Sequence, residues 1–158
     1  MFGHSLGGAA SAATMLSDAR IRGGVNLDGR FFDPVTELGA DRPFLNVGRP
    51  DHGATDPTWD AFFAHMRAPG EAVEVAVAGT THSSFTDYPV ILAAMNLTAA
   101  SSDGLAEFLG TDDWARANGI VTRLVAAFAD YVFGHTVPEI LRGEDGKFPE
   151  VQLVRSQL

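Results

Sequence analysis

The sequence predicts an α/β fold, a mostly parallel sheet covered by helices, and three observations predict it. Short apolar runs closed by Gly or Asp alternate with longer helix-forming stretches, the pattern of parallel strands joined by covering helices. The chain has 158 residues, 46% of them apolar, enough for one domain to bury a core. It opens on a tight Gly-rich turn, Gly3-His4-Ser5-Leu6-Gly7, that runs straight into a stretch of small residues.

The elements follow in order. Residues 8–18 are small and helix-friendly, Gly8-Ala9-Ala10-Ser11-Ala12-Ala13 at their start, which lets a helix approach a sheet backbone closely. Residues 21–27 read as a strand ending at Asp28-Gly29, and residues 43–48 as a second, introduced by Pro43 and closed by Gly48. Asp56 is placed to cap a helix that has Pro57 at its first position and runs to about Arg67. Residues 73–77 read as a third strand, followed by Gly79-Thr80-Thr81-His82, and a helix is expected over 89–97. The clearest helix covers 111–133, capped by Thr111 or Asp112, with Trp114, Ala117, Val121, Leu124, Val125, Phe128 and Val132 on one face and Gly134 closing it. Residues 96–104 read as a polar loop. The tail over 136–158 is broken by Pro138, Gly143 and Gly146, with a short strand expected at 151–154. There is no repeat and no linker. Only Met1 and Phe2 precede the first motif, so the strand leading into it is expected to be missing, and three strands leave sheet edges open.

Composition narrows the partners. Eleven Lys and Arg against 20 Asp and Glu give a formal charge of −9. No basic stripe is present to neutralise phosphates, so nucleic acid is not an expected partner. No run of about 18 uncharged apolar residues occurs, so no membrane span is expected. The chain has no cysteine, hence no disulfide frame, thiolate metal site or thiol nucleophile. No secretory leader is visible at its start.

The chemistry concentrates at the strand ends. Gly3-His4-Ser5-Leu6-Gly7 fits G-x-S-x-G, a strand-to-helix turn that exposes a strained serine while the following helix start offers N–H groups to a developing oxyanion. That pattern alone is weak. A base is needed, and His82 follows the third strand at its carboxyl end, where open α/β sheets gather functional groups. An orienting acid is needed too, and Asp28 ends the first strand at the same edge. Ser5, Asp28 and His82 thus follow strand ends in the order Ser, Asp, His. His4 is expected to pack beside the site. His52, His65 and His135 have no partner at ligand spacing and read as structural or surface residues. Neither H-E-x-x-H nor a calcium loop occurs, so no metal or other cofactor is expected. Phe31 and Phe32 read as core, with lining of an acyl pocket as the alternative. Trp59, Phe62 and Phe63 read as core.

With GHSLGGA (3–9), RGGVNLDG (22–29) and THSSFTD (81–87) in this order, the chain resembles the carboxyl-terminal portion of an α/β-hydrolase. The likeness is to the platelet-activating-factor acetylhydrolase-like group of esterases and lipases. It covers most of residues 2–133 and thins out after Gly134. It implies a single partial domain over 1–158 that begins at the nucleophile turn. It also implies Ser5 as nucleophile, Asp28 as acid, and His82 as base within an H-x-x-F-x-D pattern completed by Phe85 and Asp87. Asp51 is the rival acid, since many α/β-hydrolases carry theirs after the next strand; the NLDG match decides for Asp28. The Leu6 N–H is the implied oxyanion donor, with the second donor and the earlier half of the sheet expected to be missing.

The implied reaction is hydrolysis of a small or lipid ester through an acyl-enzyme, and the negative charge fits a neutral ester. A third reading keeps the fold and changes the leaving group to an amine or a thiol, as in an amidase or a thioesterase. The alternative is a truncated, non-catalytic remnant that folds or assembles with a partner, including another copy through the exposed sheet edge. Relatives in this group lean to secretion.

Overall fold

The computed structural model describes residues 1–67, 71–110 and 114–158. Strand β1 (Phe2–His4) runs into the turn at Ser5 and helix α1 (Leu6–Ser17). Strand β2 (Gly24–Leu27), the short helix α2 (Val35–Leu38) and strand β3 (Phe44–Gly48) follow. Helices α3 (His52–Thr55) and α4 (Pro57–Ala64) lead to strand β4 (Ala72–Val77). A 3₁₀ turn (His82–Phe85), α5 (Tyr88–Ala94), a second 3₁₀ turn (Ala99–Ser101), α6 (Asp103–Leu109) and the long α7 (Trp114–Gly134) come next. A third 3₁₀ turn (Glu139–Arg142) precedes strand β5 (Val151–Ser156).

Among the described residues the strands form one sheet in the order β1-β2-β3-β4-β5. β1 to β4 pair in parallel and β5 joins antiparallel to β4, with an irregular register between Glu74 and Val75. The mostly parallel sheet read from the sequence is therefore present.

Two layers cover the sheet, and the two-residue period of each strand sorts its side chains between them. Val25, Leu27, Leu45, Val47, Val73, Val75 and Val77 face α7 and pack on Ile120, Leu124, Ala127 and Phe128. On the opposite side Phe44 and Ala72 pack with Ala12, Met15, Phe31, Trp59, Phe62 and Phe63. There Phe31 stacks on Phe62 with centroids 4.4 Å apart, and Phe44 meets Phe62 edge-on at 4.9 Å. Each fully buried aromatic side chain contributes about 1.5–3 kcal/mol by leaving water. Asp56 caps α4 as expected, its carboxylate accepting the Thr58 N–H at 3.0 Å. The small residues of α1 serve the close approach read from them: a Cβ at Gly8 would run into the Asn26 side chain.

Several expectations are corrected. The strand into the nucleophile turn is not missing: residues 2–4 suffice for a ladder, Phe2 opposite Val25 and His4 opposite Leu27, with the Ser5 N–H donating to the Leu27 carbonyl at 2.9 Å. Among the described residues β1 is an edge strand, and Met1, Phe2 and Phe133 are exposed. β2 begins at Gly24, later than residue 21. The polar loop over 96–104 holds the second 3₁₀ turn and the start of α6, which Ser102 caps through its Oγ and the Leu105 N–H. The buried stripe of α7 centres on Ile120, Leu124 and Ala127, with Val121, Val125 and Val132 at its margins. The expected caps Thr111 and Asp112 lie outside the described residues. No described helix is long and apolar enough to cross a membrane.

Candidate active site

The first and second motifs interlock through their glycines. Ser5 sits at φ 55°, ψ −122° and Asp28 at φ 54°, the left-handed region that side chains rarely enter without support from their surroundings. The Asn26 side chain supplies that support for Asp28. Its Oδ1 accepts the Gly29 N–H at 2.9 Å and its Nδ2 donates to the Gly29 carbonyl at 2.7 Å, closing the turn around Asp28. A Cβ on Gly29 would collide with the Ser5 carbonyl, and one on Gly3 with the Gly7 backbone. The two turns are thus pressed together, and the strand ends carry Ser5 and Asp28 to one rim of the sheet.

His82 arrives from the end of β4, in a loop held by hydroxyls. Ser84 Oγ accepts the Thr81 N–H at 2.8 Å and donates to the Leu109 carbonyl at 2.7 Å. Thr81 Oγ1 donates to the Phe108 carbonyl at 2.6 Å. The end of α6 therefore docks the loop that carries His82. Of the H-x-x-F-x-D pattern, Phe85 is buried in the core and Asp87 is exposed.

These placements bring the three sequence-predicted residues into one line. His82 Nε2 lies 3.1 Å from Ser5 Oγ and His82 Nδ1 lies 2.7 Å from Asp28 Oδ2. Asp28 is 1% exposed. Burial pushes its carboxyl up, but hydrogen bonds from His52, the Arg49 N–H and His82 outweigh it and hold the group down at about 2. With Asp28 ionised, His82 Nδ1 must carry the proton of their hydrogen bond, which leaves Nε2 free to accept from the Ser5 hydroxyl. Leu6 opens α1, so its N–H stands in the first helical turn, where no carbonyl four residues back is available to it.

His4 packs beside the site as expected. Its ring lies 4.4 Å from that of His82, and its Nε2 is 3.0 Å from the His82 carbonyl. Burial, and then the neighbouring His82, push His4 below the usual histidine range. Asp51, the rival acid, does not join the line; it is exposed and pairs with Arg49 Nε at 3.2 Å. His65 bonds back to the Ala61 carbonyl and His135 follows α7 at the surface. Phe31 is core and Phe32 is exposed.

His52 departs from the sequence reading. It is 4% exposed and its Nδ1 lies 2.7 Å from Asp28 Oδ1. Arg49 adds its backbone N–H to Oδ1 at 3.0 Å and Nη1 to Oδ2 at 2.9 Å. Each carboxylate oxygen thus accepts twice. Both residues lie in GRPDH after β3, the strand-end loop from which the sequence offers Asp51 as the rival acid and His52 as a structural or surface residue. Nothing in their spacing links them to a carboxylate more than 20 residues earlier. Among the described residues no group of three or more His, Asp or Glu side chains is placed to hold a metal ion.

Comparison with known proteins bears on the family and the fold. Residues 1–108 match the family model described as platelet-activating factor acetylhydrolase, isoform II. A curated relative from Arthroderma benhamiae, named a probable 1-alkyl-2-acetylglycerophosphocholine esterase, is 27% identical over 96% of this chain and 42% of its own length. A solved ferulic acid esterase from Streptomyces cinnamoneus superposes with a TM-score of 0.81 at 27% identity, over 98% of this chain and 46% of that one. The chain therefore spans less than half the length of either protein.

Proposed function

Because the chain belongs to the platelet-activating factor acetylhydrolase, isoform II, family, we propose that it carries a serine ester hydrolase site in which Ser5, His82 and Asp28 act on a carboxylic ester. The observation that carries this reading is the unbroken hydrogen-bond line from Ser5 Oγ through both ring nitrogens of His82 to Asp28.

In the proposed reaction the Ser5 hydroxyl attacks the ester carbonyl while its proton passes to His82 Nε2. Asp28 accepts the Nδ1–H throughout, fixing the tautomer and stabilising the imidazolium that forms. The oxyanion accepts from the Leu6 N–H. His82 returns its proton to the leaving alcohol, which leaves an acyl ester on Ser5. A water molecule, deprotonated by the same nitrogen, then releases the acid and restores the serine.

The substrate class follows from the relatives' names. One is named for an acetylated glycerophosphocholine and the other for ferulic acid, and the chemistry they share is a carboxylic ester with an alcohol leaving group. The test is hydrolysis of p-nitrophenyl acetate by the chain and by Ser5→Ala. Turnover that disappears in the variant is the expected result. Turnover that survives in Ser5→Ala removes the serine from the mechanism.

A further inference from the structure

We propose that His52 and Arg49 are positioning residues: together they fix the Asp28 carboxylate in the orientation that leaves Oδ2 facing His82. The proposal rests on the functional reading above and extends it to residues outside the Ser5–His82–Asp28 line.

The argument begins with the freedom of a carboxylate. Its last torsion is broad and nearly two-fold, so a bond to one oxygen alone does not stop it swinging. Here both oxygens are held. Oδ1 accepts from His52 Nδ1 at 2.7 Å and from the Arg49 N–H at 3.0 Å; Oδ2 accepts from Arg49 Nη1 at 2.9 Å and from His82 Nδ1 at 2.7 Å. Arg49 Nη1 also lies 3.0 Å from His52 Nδ1. Both atoms carry protons directed at the carboxylate, so this is proximity and not a further bond.

His52 is itself held. Its ring stacks on Trp59, centroids 3.9 Å apart at 28°. The Trp59 indole N–H donates to the Gly29 carbonyl at 2.7 Å. The pair therefore grips the Asp28–Gly29 turn at two points, one on the side chain and one on the backbone. Arg49 is anchored by Asp51 and by Thr55 Oγ1 at 3.2 Å. The charged groups around this cluster include Asp28, Arg49, His82, Asp51, Glu74 and Asp56, whose Oδ2 stands 3.4 Å from His52 Nε2.

Packing alone gives no reason for an imidazole at this place. Among the described residues His52 Nε2 is buried without a hydrogen-bond partner, an unmet polar atom that costs stability. A leucine would fill the space against Trp59 without that cost. An apolar residue would lack the Nδ1–H on Asp28, a bond of 2.7 Å, and the longer 3.4 Å approach of Nε2 to Asp56.

The test reads the His82 Nδ1 proton directly, by its exchange with water in the ¹⁵N-histidine-labelled full chain at neutral pH. In His52→Leu that exchange is expected to be about tenfold faster, the effect of about 1.4 kcal/mol on a hydrogen bond's opening. His52→Asn, whose amide nitrogen stands where Nδ1 stood, should restore the rate to within about threefold. His52→Gln carries its amide at the Nε2 position and should behave like the leucine variant, although it is closer to histidine in size. Arg49→Met removes one donor from Oδ2 at a partly exposed position and should speed exchange in the same direction. If His52→Leu does not fold, the Asn and Gln pair and Arg49→Met decide the matter. Unchanged exchange in all variants, or glutamine protecting as well as asparagine, overturns the proposal. This readout needs no turnover, so it fails independently of the ester-hydrolysis test on Ser5→Ala.

Discussion

Replacing Asp28 by Asn is expected to lower the unfolding free energy at neutral pH by about 2 kcal/mol, and the loss should fade in acid. The carboxyl is held at about 2 against an ordinary 3.8, and at 1.36 kcal/mol per pH unit that drop is worth about 2 kcal/mol. Burial favours the neutral acid, and the hydrogen-bond donors on the two oxygens outweigh it. In the window between the two values the unfolded chain binds a proton that the folded chain refuses, so stability rises with pH there. The contribution is complete above about pH 4 and lost as the pH falls towards 2. Asparagine cannot follow this curve, because it has no charge to lose. Urea denaturation of both proteins, followed by circular dichroism from pH 7 downward, reads the difference directly. The gap should be about 2 kcal/mol at pH 7 and should narrow steadily below pH 4. A gap of the same size at every pH would refute the claim that the donors act on a charge. A gap near zero at pH 7 would refute the four-donor arrangement itself.

Further outcomes follow from the two turns and the docked loop. Gly29→Ala should cost about 1–3 kcal/mol, because the new Cβ meets the Ser5 carbonyl and the nucleophile turn has to move; the urea midpoint reads it. Ser5→Gly should be more stable than Ser5→Ala by about 1 kcal/mol, since glycine relieves the positive φ that alanine keeps. At an unstrained position the order would be reversed, and thermal denaturation of the pair decides between them. Ser84→Ala removes the hydroxyl that joins the Thr81 N–H to the Leu109 carbonyl and should cost about 1–3 kcal/mol, with amide exchange rising at Thr81 in the His82 loop.

The parts of this site legible in the sequence are those whose signal is local. A serine between close-set glycines, a small-residue helix after it, and polar residues at strand ends each declare themselves within a few positions. Their order along the chain supplied the rest, and Ser5, Asp28 and His82 do meet at one rim. What escaped notice depends on contacts between distant segments. His52 earns its place through Asp28, 24 residues earlier, and no spacing rule connects them. Arg49 reads as an ordinary loop cation until its backbone N–H and its guanidinium are seen to converge on that carboxylate. Residues 96–104 read as a polar loop because they are rich in turn-formers, yet Thr98, Ser101 and Ser102 act in the caps of the second 3₁₀ turn and of α6. The three- and four-residue spacing on α7 finds Trp114, Ala117, Leu124 and Phe128, which are buried, whereas the sheet also selects Ile120 and Ala127 and leaves Val121, Val125 and Val132 at the margin. With two residues before the motif the sequence leaves no room for a separate β1; the ladder recruits Gly3 and His4 of the motif itself.

The proposed triad is tested most directly by a fluorophosphonate label, with the adduct located by peptide mass. One adduct is predicted, on Ser5, absent from Ser5→Ala and formed more slowly in His82→Ala. An adduct on a different residue, or equal labelling of the chain and Ser5→Ala, would contradict the assignment of Ser5, His82 and Asp28 as the reacting group.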